Sequence, residues 1–191
     1  MLDVGPGLGE WLDCLAAWGY GNAIGVDLSP QVVEHCRARG HAVELAADTL
    51  GWLDAHAGHF GVITLLDVLE HVPRDETVAL LSALRRALAP GGKLIVQVPN
   101  AQNPDGLLYR YGDFTHTAGF TEYSLAEVFR AAGFGRWQFA GFEFMPWKGK
   151  KATLVRALRG IYYRWVHLRR KLDANLDPDV LHPVMFAVAE A

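Results

Sequence analysis

The sequence predicts an α/β protein built on a doubly wound, mostly parallel sheet, and three observations predict it. Short apolar runs alternate with amphipathic helical stretches. The first run leads into the glycine-rich turn Gly5-Pro6-Gly7-Leu8-Gly9, and carboxylates follow the second and third runs at Asp27 and Asp48. Alternation of this kind covers both faces of a parallel sheet with helices, and a strand, glycine turn and helix in that order open a nucleotide-binding unit.

The elements follow in order. Met1 to Val4 reads as the end of a buried strand, and a helix from about Glu10 to Trp18 follows the glycine turn. Ala23 to Val26 is the second apolar run, closed by Asp27. Ser29 then stands as N-cap, Pro30 at the first helical position and Gly40 just past the last turn. A strand near 42–46, a short helix near 49–55 and a strand from Phe60 to Leu66 continue the alternation. From about Asp75 to Leu88, Val78, Leu81, Leu84 and Leu88 share one helical face, and Pro90-Gly91-Gly92 stops the helix before a fifth strand, Lys93 to Val98. Residues 99–121 read as a loop too long to be idle. A helix from about Ser124 to Ala132 and two strands, Trp137 to Phe144 and Val184 to Ala189, complete the sheet.

One domain, 1–191, is expected from the length, and 51% hydrophobic with 20% charged residues is ordinary globular composition. Cys14 and Cys36 form neither a disulfide framework nor a zinc pattern. No apolar stretch, Val62 to Leu66 included, approaches the roughly 20 residues that span a bilayer, and no signal peptide opens the chain. A cytoplasmic enzyme is the expectation, peripheral to the inner membrane face if the next feature acts there. Nine of the eighteen basic residues lie between Lys148 and Lys171, a window without acid. Removing those nine charges from the net −3 leaves −12 for the rest. Such a segment suits a local anionic contact and not a protein that coats DNA. Within it Leu154, Leu158, Ile161, Trp165, Leu168 and Leu172 keep helical spacing, while Arg156, Arg159, Arg164, Arg170 and Lys171 fall largely opposite. This basic amphipathic helix either meets an anionic membrane or a phosphorylated, lipid-linked acceptor, or packs its apolar stripe on the body.

Two cofactors compete for the glycine turn. A dinucleotide wants Gly-x-Gly-x-x-Gly, but the sixth position is Glu10 counted from Gly5 and Leu12 counted from Gly7. A pyrophosphate would also face Asp3 and Glu10, which attract a ligand carrying a sulfonium and an ammonium group. Asp27 lies where a strand-end carboxylate accepts ribose hydroxyls, and Asp48 is placed to meet an adenine amino group. In the alternative, Asp27 merely precedes a cap and Asp48 caps a short helix.

Leu2-Asp3-Val4-Gly5-Pro6-Gly7-Leu8-Gly9, Gly25-Val26-Asp27-Leu28-Ser29, Ala47-Asp48, Asp67-Val68-Leu69-Glu70-His71-Val72 and Leu88-Ala89-Pro90-Gly91-Gly92-Lys93-Leu94 together resemble the class I S-adenosylmethionine-dependent methyltransferases, from Leu2 to Phe134. The resemblance implies a Rossmann-like, seven-stranded sheet with an antiparallel edge. It also implies S-adenosylmethionine as cofactor, with Asp3, Gly5, Gly7 and Gly9 at its methionine part, Asp27 at the ribose, Asp48 and Thr49 at the adenine, and Leu28 and Asp67 completing the set. Relatives carry a helical segment before the first strand that lies over the cofactor, whereas Met1 here already belongs to that strand. The start is therefore either misplaced or naturally shortened.

The sulfonium makes its methyl electrophilic, so the protein must hold the acceptor in line and, for an alcohol, take its proton. His71 and His116 are the candidate bases. In some O-methyltransferases of this resemblance, the ubiquinone-pathway and small-RNA types among them, residues placed like Asp67, Glu70 and His71 hold magnesium or manganese, and His116 resembles a further distant ligand. Glu-His at this place also occurs in relatives without metal. Tyr109, Tyr111, Phe114, Phe120 and Tyr123 either line an acceptor pocket or pack the loop on the sheet. The style of Val98-Pro99-Asn100 and of the 112–116 and 120–125 segments resembles bacterial enzymes that methylate cell-surface glycans. A sugar or other small-molecule hydroxyl is thus the expected acceptor, with loop 99–121 and insertion 148–172 as acceptor-side elements. A nicotinamide oxidoreductase and a non-catalytic cofactor-binding protein remain the alternatives.

Overall fold

The computed structural model describes residues 1–191. Its parallel strands are β1 (Leu2–Val4), β2 (Ile24–Asp27), β3 (Val43–Leu45), β4 (Phe60–Leu66) and β5 (Leu88–Pro99), followed by β6 (Arg136–Phe142) and β7 (Val184–Glu190). Helices α1 (Glu10–Ala17), α2 (Pro30–Ala38), α3 (Thr49–Ala55) and α4 (Arg74–Ala87) connect the first five. The later helices are α5 (Gly106–Gly112), α6 (Glu122–Ala131) and α7 (Gly149–Leu172). The sheet order is β3-β2-β1-β4-β5-β7-β6. Only β7 is reversed. It pairs antiparallel with β5 and β6, so β6 forms the edge and the reversed strand lies one place in.

The local signals act as expected at α2, where the Ser29 hydroxyl accepts from the Val32 amide and Pro30 begins the helix. At α6, Thr121 and Ser124 form a reciprocal capping box. Two expectations need correcting. Residues 106–112 are helical, not loop, and β5 begins at Leu88, so Pro90-Gly91-Gly92 is an irregularity inside a strand and not a break before it. Partner registers shift between Phe60 and Val62, which absorbs the extra residues.

Leu2, Ile63, Leu65, Leu94 and Val96 project from the strands into a core closed by Leu81 and Leu84 of α4 and Leu125 and Phe129 of α6. Each such side chain contributes about 1.5–3 kcal/mol through burial. A smaller cluster of Leu12, Leu15, Val33, Cys36 and Val43 seats α1 and α2.

This frame fixes where chemistry can happen. Val4 is level with Val26 and Leu65, Val26 with Glu44, and Leu65 with Val96, so β1 to β5 all end at one edge. Strand order reverses beside β1, which opens a crevice at that edge. Val184 pairs with both Pro99 and Phe142, so the whole 143–183 connection, α7 included, leaves and re-enters the sheet at the same edge. No helix is long and apolar enough to cross a membrane.

Candidate active site

The glycine turn depends on glycine at three positions. Gly5, Gly7 and Gly9 have φ of +73°, +55° and +84°, and a Cβ on Gly5 would stand 2.6 Å from a Val68 methyl. The Arg39 guanidinium holds the turn from outside by donating to the Leu8 carbonyl and the Asp13 carboxylate. His41 Nε2 also meets Asp13, at 2.8 Å. Sequence reasoning missed this clamp, because Arg39 and His41 lie in an ordinary helix-to-strand turn.

Asp3, in the middle of β1, is almost fully buried, and the Thr64 hydroxyl donates to it at 2.6 Å. Burial pushes its carboxyl up to about 6, against the pull of that hydrogen bond. Asp27 ends β2, where its Oδ1 accepts from the Ser29 amide at 2.7 Å and its Oδ2 has no partner. Leu28 beside it is 69% exposed. Asp48 lies past the end of β3 and caps α3 by accepting from the Gly51 amide at 3.0 Å, while the Thr49 hydroxyl donates to the Ala46 carbonyl. Asp48 therefore does cap α3, while Asp27 supports the Ser29 cap of α2 through the Ser29 amide, and each retains lone pairs toward solvent.

Beyond β4, Asp67 adopts φ +52°, a left-handed conformation rare for a residue other than glycine. Its carboxylate accepts from the Gln97 side-chain amide, and burial raises its pKa. A 3-10 turn over Leu69–His71 then places Glu70 inward, 2% exposed, with both carboxylate oxygens lacking a hydrogen-bond partner. Burial pushes its carboxyl up to about 7, and the negative charges of Asp67 and Asp113 push the same way.

The segment after α5 folds back on this turn. Amides of Thr117 and Ala118 donate to the Glu70 carbonyl at 2.8 and 3.2 Å, and the Thr117 hydroxyl reaches the Val72 carbonyl at 2.6 Å. His116 is thereby brought against His71, with ring centroids 4.8 Å apart. One ligand atom each from Glu70, His71 and His116 lies within 4.8 Å of the other two, a trio without Asp67.

The hydrogen bonds also decide the tautomers. The Thr115 hydroxyl lies 2.6 Å from Asp113 Oδ1, to which it must donate, so at 2.9 Å from His71 Nδ1 it accepts. His116 Nδ1 faces the Tyr109 carbonyl at 3.0 Å and donates to it. In its neutral form each imidazole would therefore carry the proton on Nδ1, and neither Nε2 takes part in a hydrogen bond, although His116 Nε2 lies 3.9 Å from an Asp113 carboxylate oxygen. Asp113 and Thr115, to which sequence reasoning assigns no role, orient His71. Their own mutual bonds hold the Asp113 carboxyl below the usual carboxylate range. Of the loop aromatics, Phe120 is buried in the core, while Tyr111 and Phe114 face solvent.

A family model described as a methyltransferase domain matches residues 1–138. The ubiquinone biosynthesis O-methyltransferase of Methylococcus capsulatus is 31% identical over 189 residues, covering 91% of this chain and 73% of that protein. Among solved structures, an S-adenosylmethionine-dependent methyltransferase from Archaeoglobus fulgidus superposes with a TM-score of 0.71 at 18% identity, over 100% of this chain and 85% of the other. Phosphoethanolamine N-methyltransferase 2 of Haemonchus contortus, solved with S-adenosyl-L-methionine, gives 0.62 at 19% identity over 100% and 48%. At these identities the two structures attest the fold.

Proposed function

Because the chain belongs to the S-adenosylmethionine-dependent methyltransferase family, we propose that it methylates a hydroxyl of a small-molecule acceptor, using His71 as the base. Family membership sets aside the nicotinamide oxidoreductase and the non-catalytic binding protein. The observation that carries the proposal is the imidazole pair beside the crevice. His71 is oriented through Thr115 to Asp113, which leaves its Nε2 without a hydrogen-bond partner.

In this reading the cofactor lies along the ends of β1 to β4. Asp3 and the turn of Gly5, Gly7 and Gly9 receive the methionine part, Asp27 Oδ2 the ribose, Leu28 and Thr49 the flanks of the adenosine, and Asp48 the adenine amino group, with Asp67 beneath the sulfonium. The acceptor enters between this row and the 99–121 segment, and His71 or His116 takes its proton as the oxygen attacks the methyl. The ubiquinone-pathway name of the 31% identical relative supports oxygen as the accepting atom. A sugar hydroxyl, free or lipid-linked, is the acceptor we favour, with 148–171 facing an anionic partner from the cytoplasmic side of a membrane.

A second reading rests on Glu70. Two unpartnered, buried carboxylate oxygens beside two imidazole nitrogens make a donor set for a divalent cation, one that suits manganese better than magnesium because two of the three ligands are imidazole. Glu70, His71 and His116 would hold the ion, which supplies a lowered pKa to an acceptor hydroxyl.

One assay tests both readings. Incubation with labelled S-adenosylmethionine and a panel of phenolic, quinol and sugar hydroxyls, read by mass spectrometry, should give a product lengthened by one methyl group, and His71→Gln should lower kcat by roughly 10²-fold or more. Transfer that survives His71→Gln intact contradicts the base assignment. Loss on chelation, restored by magnesium or manganese, supports the second reading, and indifference to chelator removes it.

A further inference from the structure

Helix α7 presents two faces, and the apolar one points away from the protein. Ala152 and Val166 are buried against the body, with Val155, Tyr163 and Arg170 half-buried on the same side. Leu154, Leu158, Ile161, Trp165, Leu168 and Leu172 are instead 55–76% exposed. The stripe read from the sequence is therefore not the packing face. Its spacing alternates four and three residues throughout, so it forms one continuous row along a helix roughly 36 Å long.

Charge selects what covers this row. Glu143 answers Arg156 and Arg159, and Asp177 answers Lys171, but Lys148, Lys150, Lys151, Arg164 and Arg169 have no acidic partner. A second copy laid along the row would oppose Arg164, Arg169 and Lys171 to their own kind. An anionic lipid surface satisfies both features, since apolar side chains enter its outer layer while flanking cations reach the headgroups. Tyr162 and Trp165, stacked at 6.3 Å and half-exposed, have the amphipathic rings that settle at such a boundary.

We infer that α7 is an interfacial anchor, which lies in the plane of an anionic membrane with the Leu154–Leu172 row inserted and holds the reactive edge of the sheet toward acceptors carried there. This deepens the reading of 148–171 as an acceptor-side element. The connection to the site is direct. Arg170 donates to the Gln102 carbonyl at 2.6 Å. Asn100, Gln102 and Asn103, buried at the start of the acceptor segment, donate to carbonyls of residues 180–182 that follow α7. Beside them, α5 exposes Leu107, Leu108 and Tyr111 as further apolar surface.

The full chain should cosediment with vesicles of phosphatidylcholine and phosphatidylglycerol but not of phosphatidylcholine alone, and salt should weaken the association. The double variant I161E/L168E should bind these vesicles on the order of tenfold or more weakly, with unchanged melting temperature and unchanged affinity for S-adenosylmethionine. The inference is overturned by any of three results: absence of binding to anionic vesicles at low salt, binding indifferent to I161E/L168E, or a concentration-dependent dimer that those substitutions dissolve. Transfer to a water-soluble hydroxyl acceptor, assayed in parallel, separates the two proposals. If transfer persists without vesicle binding, only the anchor fails, and if vesicles bind without any transfer, only the acceptor reading fails.

Discussion

Asp3 links stability to pH and, in the proposed site, to ligand binding. Its carboxyl is buried with a single donor, Thr64, and titrates at about 6 instead of 3.8. The folded chain therefore binds the proton more tightly than the unfolded chain. Its contribution to stability is full below about pH 4 and is lost as pH rises through 6, a loss on the order of 2–3 kcal/mol by neutrality. In the proposed site a cationic ligand would reverse this cost by pairing with the carboxylate. Asp3→Asn should consequently flatten the stability difference between pH 4 and 7 and raise the melting temperature of the free protein at pH 8. The same change should weaken S-adenosylmethionine binding roughly tenfold or more, as a charged hydrogen bond is lost. A destabilised free protein with unaltered affinity contradicts the assignment. The sequence exposed Asp3, the three glycines, Asp27 and Asp48, because each is tied to a strand end or a turn with a local signature. It could not show Arg39 clamping Leu8, or Asp113 and Thr115 orienting His71, because those partners meet only through tertiary folding.

Among the elements, α7 separates periodicity from orientation. The sequence displays a continuous apolar stripe there, yet the helix packs through the row containing Ala152 and Val166. Hydrophobic spacing shows that a face is apolar and leaves open whether protein or another apolar phase covers it. Val166→Ala should cost about 1–2 kcal/mol in denaturant unfolding, while Leu168→Ala should change it by less than about 0.5 kcal/mol. Equal losses at both positions would place the outer row in a packed interface. Helix α5 escaped sequence reading for a different reason. Gly106-Leu107-Leu108-Tyr109-Arg110-Tyr111-Gly112 is short, bounded by glycines and embedded in turn-forming residues, and it is the segment after it, through Thr117 and Ala118, that returns onto the Leu69–His71 turn. The strand start at Leu88 was hidden by Pro90-Gly91-Gly92, which reads as punctuation although β4 accommodates it by a register shift.

At the scale of the molecule, the parallel strands gather five acidic positions at one edge: Asp3, Asp27, Asp48, Asp67 and Glu70. The antiparallel return through β7 brings the basic helix to that same edge. The acidic row proposed to receive a cationic methyl donor and the basic helix thus sit at one edge, within a chain of net −3 overall. The sheet and its order of elements were legible because alternation and caps are local, whereas the shared edge required the register. The crystal structure of the chain with bound S-adenosylhomocysteine tests this arrangement most directly. The account predicts the ribose against Asp27, the amino group near Asp3 and the sulfur turned toward Glu70, His71 and His116. A ligand bound away from the β1 turn, or with its sulfur facing away from the imidazole pair, would contradict it.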